Sequence, residues 1–149
     1  MENKLINKLF SCIGESSAED LWLVILKDYQ RKNEDVSSVC NPENQWTLLH
    51  YAAENLFTRV AEWLIEQGAE VDALDSEGNT PFLIGLDAAV DCSVQENSDD
   101  IDFSIVTLLL RNGANADVIS NDGTDKDTLL NIYGSHAVNQ YYEKVSVYV

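Results

Sequence analysis

The 149 residues carry nine basic side chains against 26 acidic ones, a formal net charge of −17, and 45% of them are hydrophobic. That apolar share supplies a core for one domain and excludes a disordered chain. The acidity excludes a protein that holds nucleic acid or an anionic membrane directly, since both require a basic face.

The longest apolar run is LWLVIL at 21–26, far short of the roughly 18–20 residues of a membrane span. The opening MENKLINKLFSCIGESSAED has no unbroken apolar stretch of the kind a signal peptide needs. A soluble, cytoplasmic protein is expected. Cys12, Cys40 and Cys92 are widely spaced and form no C-x-x-C pair, so reduced structural thiols are expected.

In chain order, NKLINKLFSCI reads as a first helix. LWLVILKDYQRKNEDVS reads as a second, with Leu21, Val24, Ile25 and Asp28 at helical spacing and Ser17 and Asp20 as candidate N-caps. Together they form an N-terminal cap over residues 1–40. The segment 41–74 follows, with Thr47 as N-cap of one helix and Val60, Trp63, Leu64 and Ile65 marking the next, which ends at Gly68 as a C-cap. Residues 75–119 repeat the plan. Thr80 and Pro81 open a helix, Ile105, Val106 and Leu108 to Leu110 mark its partner, and Gly113 closes it. The segment 120–149 is a degenerate C-terminal cap, with Thr128 opening DTLLNIYG and SHAVNQYYEKV as a shortened closing helix. DSEGN and SNDGT have turn composition and should form loops between units.

The two central segments are copies of each other. Thr47-Leu48-Leu49-His50 is repeated by Thr80-Pro81-Phe82-Leu83, 33 residues later, and Gly68-Ala69-Glu70-Val71-Asp72 is echoed by Gly113-Ala114-Asn115-Ala116-Asp117. From Thr47 to Gly68 is 21 residues, whereas Thr80 to Gly113 is 33, so the second unit carries about 12 extra residues. The period and the near match to T-P-L-H-x-A at Thr47–Ala52 resemble the ankyrin-repeat family. The resemblance implies an all-α solenoid of two clear repeats between two degenerate caps, with the extra residues forming an acidic loop over 91–102. Atypical terminal units fit such a stack, because each has one face without a neighbour.

Two histidines are the first candidates for chemistry. His50 lies in the repeat motif, where the resemblance implies a structural role, bonding locally to Thr47 and across to the neighbouring loop. Catalysis would need a partnered nucleophile or a shaped pocket. His136 stands alone, 86 positions away, so no zinc site is indicated. The run DCSVQENSDDID has crowded acids and no central glycine, which fits a solvated loop and not a calcium site. No phosphate-cradling, dinucleotide, nucleophile-elbow or zinc-protease motif is present. No enzyme activity, cofactor or metal is expected.

What remains is binding. The resemblance implies contacts through loop tips and the concave faces of the first helices. That selects Glu43, Trp46, Tyr51, Glu54 and Asn55 in the first full unit, Ser76, Glu77, Asn79 and Asp87 in the second, and Asp122, Asp125 and Asp127 in the third. The inserted loop adds Glu96, Asp99, Asp100 and Asp102. Trp46 precedes the motif threonine in a slot the family points outward. Packing against the preceding cap or the long loop is its alternative. Trp22 and Trp63 belong to apolar helix faces, and Tyr141 and Tyr142 are expected to seal the C-terminal end. Between Arg59 and Arg111 there are twelve acids and not one Lys or Arg. A basic protein partner, bound one to one by a monomer, is therefore expected. Two functional readings stay open. The chain resembles small acidic ankyrin-type immunity proteins that occlude basic toxins such as nucleases. Alternatively, it is an intracellular adaptor, regulator or effector that binds another cellular protein.

Overall fold

The computed structural model describes residues 2–32 and 35–148. Among the described residues it is all-helical, with helices α1 (Glu2–Phe10), α2 (Ala18–Arg31), α3 (Leu48–Glu54), α4 (Thr58–Glu66), α5 (Pro81–Gln95), α6 (Ser104–Arg111), α7 (Lys126–Tyr133) and α8 (Ser135–Lys144), and a 3-10 turn at Ser146–Tyr148. None of these helices is long and apolar enough to cross a membrane. The degenerate element expected around NEDVS includes Asn33 and Glu34, which lie outside the described residues.

The helices pair as α1/α2, α3/α4, α5/α6 and α7/α8. The first members pack in one row, α3 on α5 and α5 on α7, and the second members in another, α2 on α4 and α4 on α6. A continuous core runs between the rows: Trp22 and Leu26, then Leu49 and Leu64, then Phe82, Leu86, Ile105 and Leu109, then Leu130 and Tyr141. Trp22 is anchored by its indole N–H, which donates to the Leu9 carbonyl at 2.8 Å. Trp63 is half-buried against this core, so only one of its faces serves it. Gly85 replaces the alanine of the preceding unit where α5 lies close to two neighbours. A methyl group there would stand 3.3 Å from Ile105 Cγ2 and 3.5 Å from Ala53 Cβ.

Helix starts follow local chemistry. Thr47 and Thr80 cap α3 and α5 with their side-chain oxygens, and Pro81 occupies the first turn, where its missing N–H costs nothing. Gly68 and Gly113 adopt φ of +96° and +90° just past α4 and α6. The helix α4 begins after Phe57, which has no capping side chain. Its free amides are satisfied from the previous unit: Glu19 Oε1 accepts from the N–H of Arg59 at 2.7 Å and of Val60 at 3.3 Å. The Arg59 guanidinium also pairs with Glu19 at 3.0 Å and Asp20 at 2.8 Å, so one cation joins α2 to α4. Ser17 stands at the N-cap of α2 but makes no capping bond.

Three expectations are corrected. Thr128 does not open α7; Asp125 does, accepting from the Thr128 N–H at 2.8 Å. Asp125 follows Thr80 by 45 positions, the regular 33 plus the 12 inserted. The capping slot is thus kept, and an aspartate fills it as well as a threonine. The inserted residues are not all loop either. The helix α5 runs on to Gln95 through DAAVDCSVQ, which contains no glycine or proline to stop it. Only 96–103 lies between helices. Finally, Tyr141 is buried while Tyr142 is exposed and donates to Asp127 at 2.7 Å, so the two tyrosines do not seal the end together.

Candidate protein-interaction face

The loops before α3, α5 and α7 are clipped edge to edge. The Ser76 N–H donates to the Asn44 carbonyl at 2.9 Å, and the Asn121 N–H to the Glu77 carbonyl at 2.9 Å. Gly78 makes the second contact possible. Its φ is +78°, and a Cβ there would sit 2.6 Å from Asn121 Oδ1 and 3.1 Å from the Asn121 amide nitrogen. Gly78→Ala is expected to cost about 1–3 kcal/mol, from a left-handed residue with a side chain and a displaced neighbouring loop. Urea unfolding measures the cost, and amide exchange should show Asn121 losing protection. An alanine variant as stable as the parent would mean the loops do not bear on one another.

Asp75 organises the middle loop. It is 7% exposed, and its Oδ1 accepts from the N–H groups of Glu77 at 2.9 Å and Asn79 at 2.8 Å. Its Oδ2 accepts from the indole N–H of Trp46 at 2.9 Å, across the repeat boundary. Burial raises its pKa, but these donors outweigh that and hold the carboxyl below the usual aspartate value. Asp122 is held at about 2 by the Ser120 hydroxyl and by Thr124.

The sequence-selected residues fall into several groups. Glu43, Ser76, Glu77 and Asp122 are exposed at the loop tips, and Asn79 is turned partly inward, donating to Asp75. Asp125 and Asp127 are engaged within the chain, as an N-cap and as a partner of Lys126 and Tyr142. Tyr51 is buried, 5% exposed, between Phe10 and Trp46, because α1 and the first loop close over it. Its expected outward face is therefore corrected. Trp46 is half-buried: its N–H is taken by Asp75, and its ring stacks on His50 at 6.0 Å and tilts on Tyr51 at 5.1 Å. It packs on its own unit and the next loop, and only its remaining edge is open.

That open edge belongs to a groove of about 510 Å³, lined by Trp46, Glu54, Asn55, Leu56, Ile84, Asp87, Ala88, Asp91, Cys92 and Gln95. It brings together Trp46, Glu54, Asn55 and Asp87 from the sequence reading. It adds Asp91, Cys92 and Gln95, which the extension of α5 supplies. The signal for these was present in the sequence: 84, 87/88, 91/92 and 95 form one helical stripe that passes straight into the supposed loop. Asp87 accepts from the Tyr133 hydroxyl at 2.9 Å, and Asp91 from the Gln95 side-chain amide. Burial raises the pKa of Glu54 and of the Cys92 thiol. Cys92 is thereby made less nucleophilic.

The remaining segment, 96–103, carries Glu96, Asp99, Asp100 and Asp102 on its exposed side, and its backbone is tied down. The Asp99 carbonyl accepts from His136 Nε2 at 2.8 Å and from the Gln140 side-chain amide at 2.6 Å. The Ile101 N–H donates to Gln140 Oε1 at 3.0 Å, and Lys144 reaches Asp100 and the Ile101 carbonyl. Ile101 and Phe103 are buried, with Phe103 edge-on to Tyr141 at 6.0 Å. The acids are presented on a fixed strap.

His50 holds the frame. Fully buried, it accepts at Nδ1 from the Thr47 N–H at 3.1 Å while its Nε2 donates to the Asn79 carbonyl at 3.1 Å. Burial lowers its pKa, which keeps the ring neutral. A family model described as ankyrin repeats, in three copies, matches residues 19–122. The chain belongs to the ankyrin-repeat family. The Thr47–His50 box and the clipped loops are thus its repeat framework, and ankyrin proteins of this build are protein-interaction modules, typically without enzymatic activity. In this ankyrin chain no group of three or more metal-ligating side chains converges among the described residues. Its distinguishing features are the lengthened α5 and the acidic strap.

Proposed function

We propose that this ankyrin module binds a basic protein across its groove and loop tips and inhibits it by covering its cationic surface, in the manner of an immunity protein neutralising a basic toxin such as a nuclease. The observation that carries the reading is the charge distribution. Over residues 33–110 the sole Lys or Arg is Arg59, and Glu19 and Asp20 already occupy it. The groove and the first two loop tips therefore present carboxylates with no competing cation, and the strap adds Glu96, Asp99 and Asp102 beside the Asp100–Lys144 pair. A field of one sign raises association rates towards about 10⁸–10⁹ M⁻¹s⁻¹ at low salt, against about 10⁵–10⁶ without steering. The inhibitor acts by occlusion and requires no chemistry of its own. It works as a monomer, one to one, in the cytoplasm.

The test is binding kinetics with the product of the neighbouring gene, whatever its charge, together with growth rescue on co-expression. We expect restored growth and an association rate that falls at least tenfold between 50 and 500 mM NaCl. A neutral or acidic partner, or a rate that changes less than twofold, overturns the reading. In that event the adaptor reading takes its place, and binding without growth rescue likewise favours an adaptor.

A further inference from the structure

The groove differs from the loop tips and the strap in having an apolar floor. Trp46, Leu56, Ile84, Ala88 and Cys92 line it together with three carboxylates, Glu54, Asp87 and Asp91, and no Lys or Arg. Asp87 and Asp91 stand one helical turn apart on the same side of α5, and Glu54 ends α3, the helix that packs against it. The hydrogen bonds of Asp87 and Asp91 each use one carboxylate oxygen, so both keep a second one. The Glu54 residue is exposed as a whole, yet its carboxyl is desolvated enough to lift its pKa, and no described residue compensates it.

We propose that this groove seats a single arginine side chain of the basic partner, its methylenes on Ile84, Ala88 and the open edge of Trp46 and its guanidinium between Glu54, Asp87 and Asp91. The inference rests on the basic-partner reading and narrows it to one side chain. Arginine fits better than lysine on two counts. A planar fork of five donors can satisfy several separated carboxylates at once, and a weakly hydrated guanidinium tolerates an aromatic and aliphatic wall. The extension of α5 is what makes the seat. A first helix of α3's length would end near Asp87 and supply neither Asp91 nor the far wall.

The test uses the intact chain and three peptides: one with a single arginine among glycines and serines, the same peptide with citrulline in its place, and an oligoarginine. By NMR the single-arginine peptide should shift the Trp46 indole N–H and the amides of 84–95, and citrulline should not. Glu54→Gln/Asp87→Asn/Asp91→Asn should weaken the single-arginine peptide at least tenfold. Glu62→Gln/Glu66→Gln/Glu70→Gln, which changes net charge equally at exposed positions outside the groove, should alter it less than twofold. Equal losses in the two variants, or shifts confined to the loop tips and strap, overturn the arginine seat but leave the basic-partner reading standing if the oligoarginine still binds. Failure of the oligoarginine as well overturns both.

Discussion

Replacing His50 with alanine should lower the unfolding free energy by about 3 kcal/mol. The substitution opens a void in a fully buried site. It also strips the Thr47 amide of its acceptor and leaves the Asn79 carbonyl without the Nε2 donor. Losing a buried partner costs about 1–3 kcal/mol for each stranded group, partly relieved here by water at the loop. The same site makes stability depend on pH. A carbonyl can only accept, so Nε2 carries the proton and Nδ1 must stay bare to receive Thr47. Protonation would set two N–H groups against each other. Because burial depresses the pKa of the folded ring below the ordinary value of 6.5, the unfolded chain takes up a proton that the folded chain refuses. This contribution is undiminished above about pH 6.5 and is lost as pH falls below it, at up to about 1.4 kcal/mol per pH unit. Urea titrations of parent and His50→Ala between pH 7.5 and 5 provide the measurement. The gap between the two should narrow on acidification. A constant gap would mean the histidine titrates alike folded and unfolded.

Asp75→Ala should cost about 2–4 kcal/mol and release Trp46. The carboxylate receives two backbone amides of its own loop and the indole of the previous unit, and charge-assisted bonds of this kind are stronger than neutral ones. Chemical unfolding gives the cost, and Trp46 emission should shift to the red as the indole gains water. Asp75→Asn separates the two duties. Its amide oxygen can still serve Glu77 and Asn79, but its NH₂ would face the Trp46 N–H, donor against donor. We expect most of the stability to return and the emission shift to persist. If the asparagine variant restored both, the carboxylate would not be what positions the indole.

How much of this was legible in the residues differs from place to place. The 33-residue spacing of Thr47 and Thr80, the glycines at 68 and 113 and the apolar stripes of α4 and α6 specified helix pairs in a stack, because they are local signals that each unit states for itself. The structural role of His50 and the acidity of the central segment were legible in the same way. Three other features were legible only in part or not at all. Thr128 lies in a plausible capping position, yet the slot that repeats Thr80 after 33 plus 12 residues is Asp125, whose carboxylate accepts from the Thr128 N–H. Tyr51 looks like a surface residue of its helix until α1 and Trp46 cover it, a contact between units that no repeat periodicity encodes. The acids of 91–102 read as a free loop by composition. Whether such a segment continues a helix or leaves it depends on what it meets, and here Val90 and Ser93 are buried and Gln140 and Lys144 receive the strap. Composition therefore determined the sign of the surface and the repeat determined its scaffold. Only the packing of one unit on the next turned an acidic insertion into one wall of a groove, because a groove is made of residues far apart in the chain.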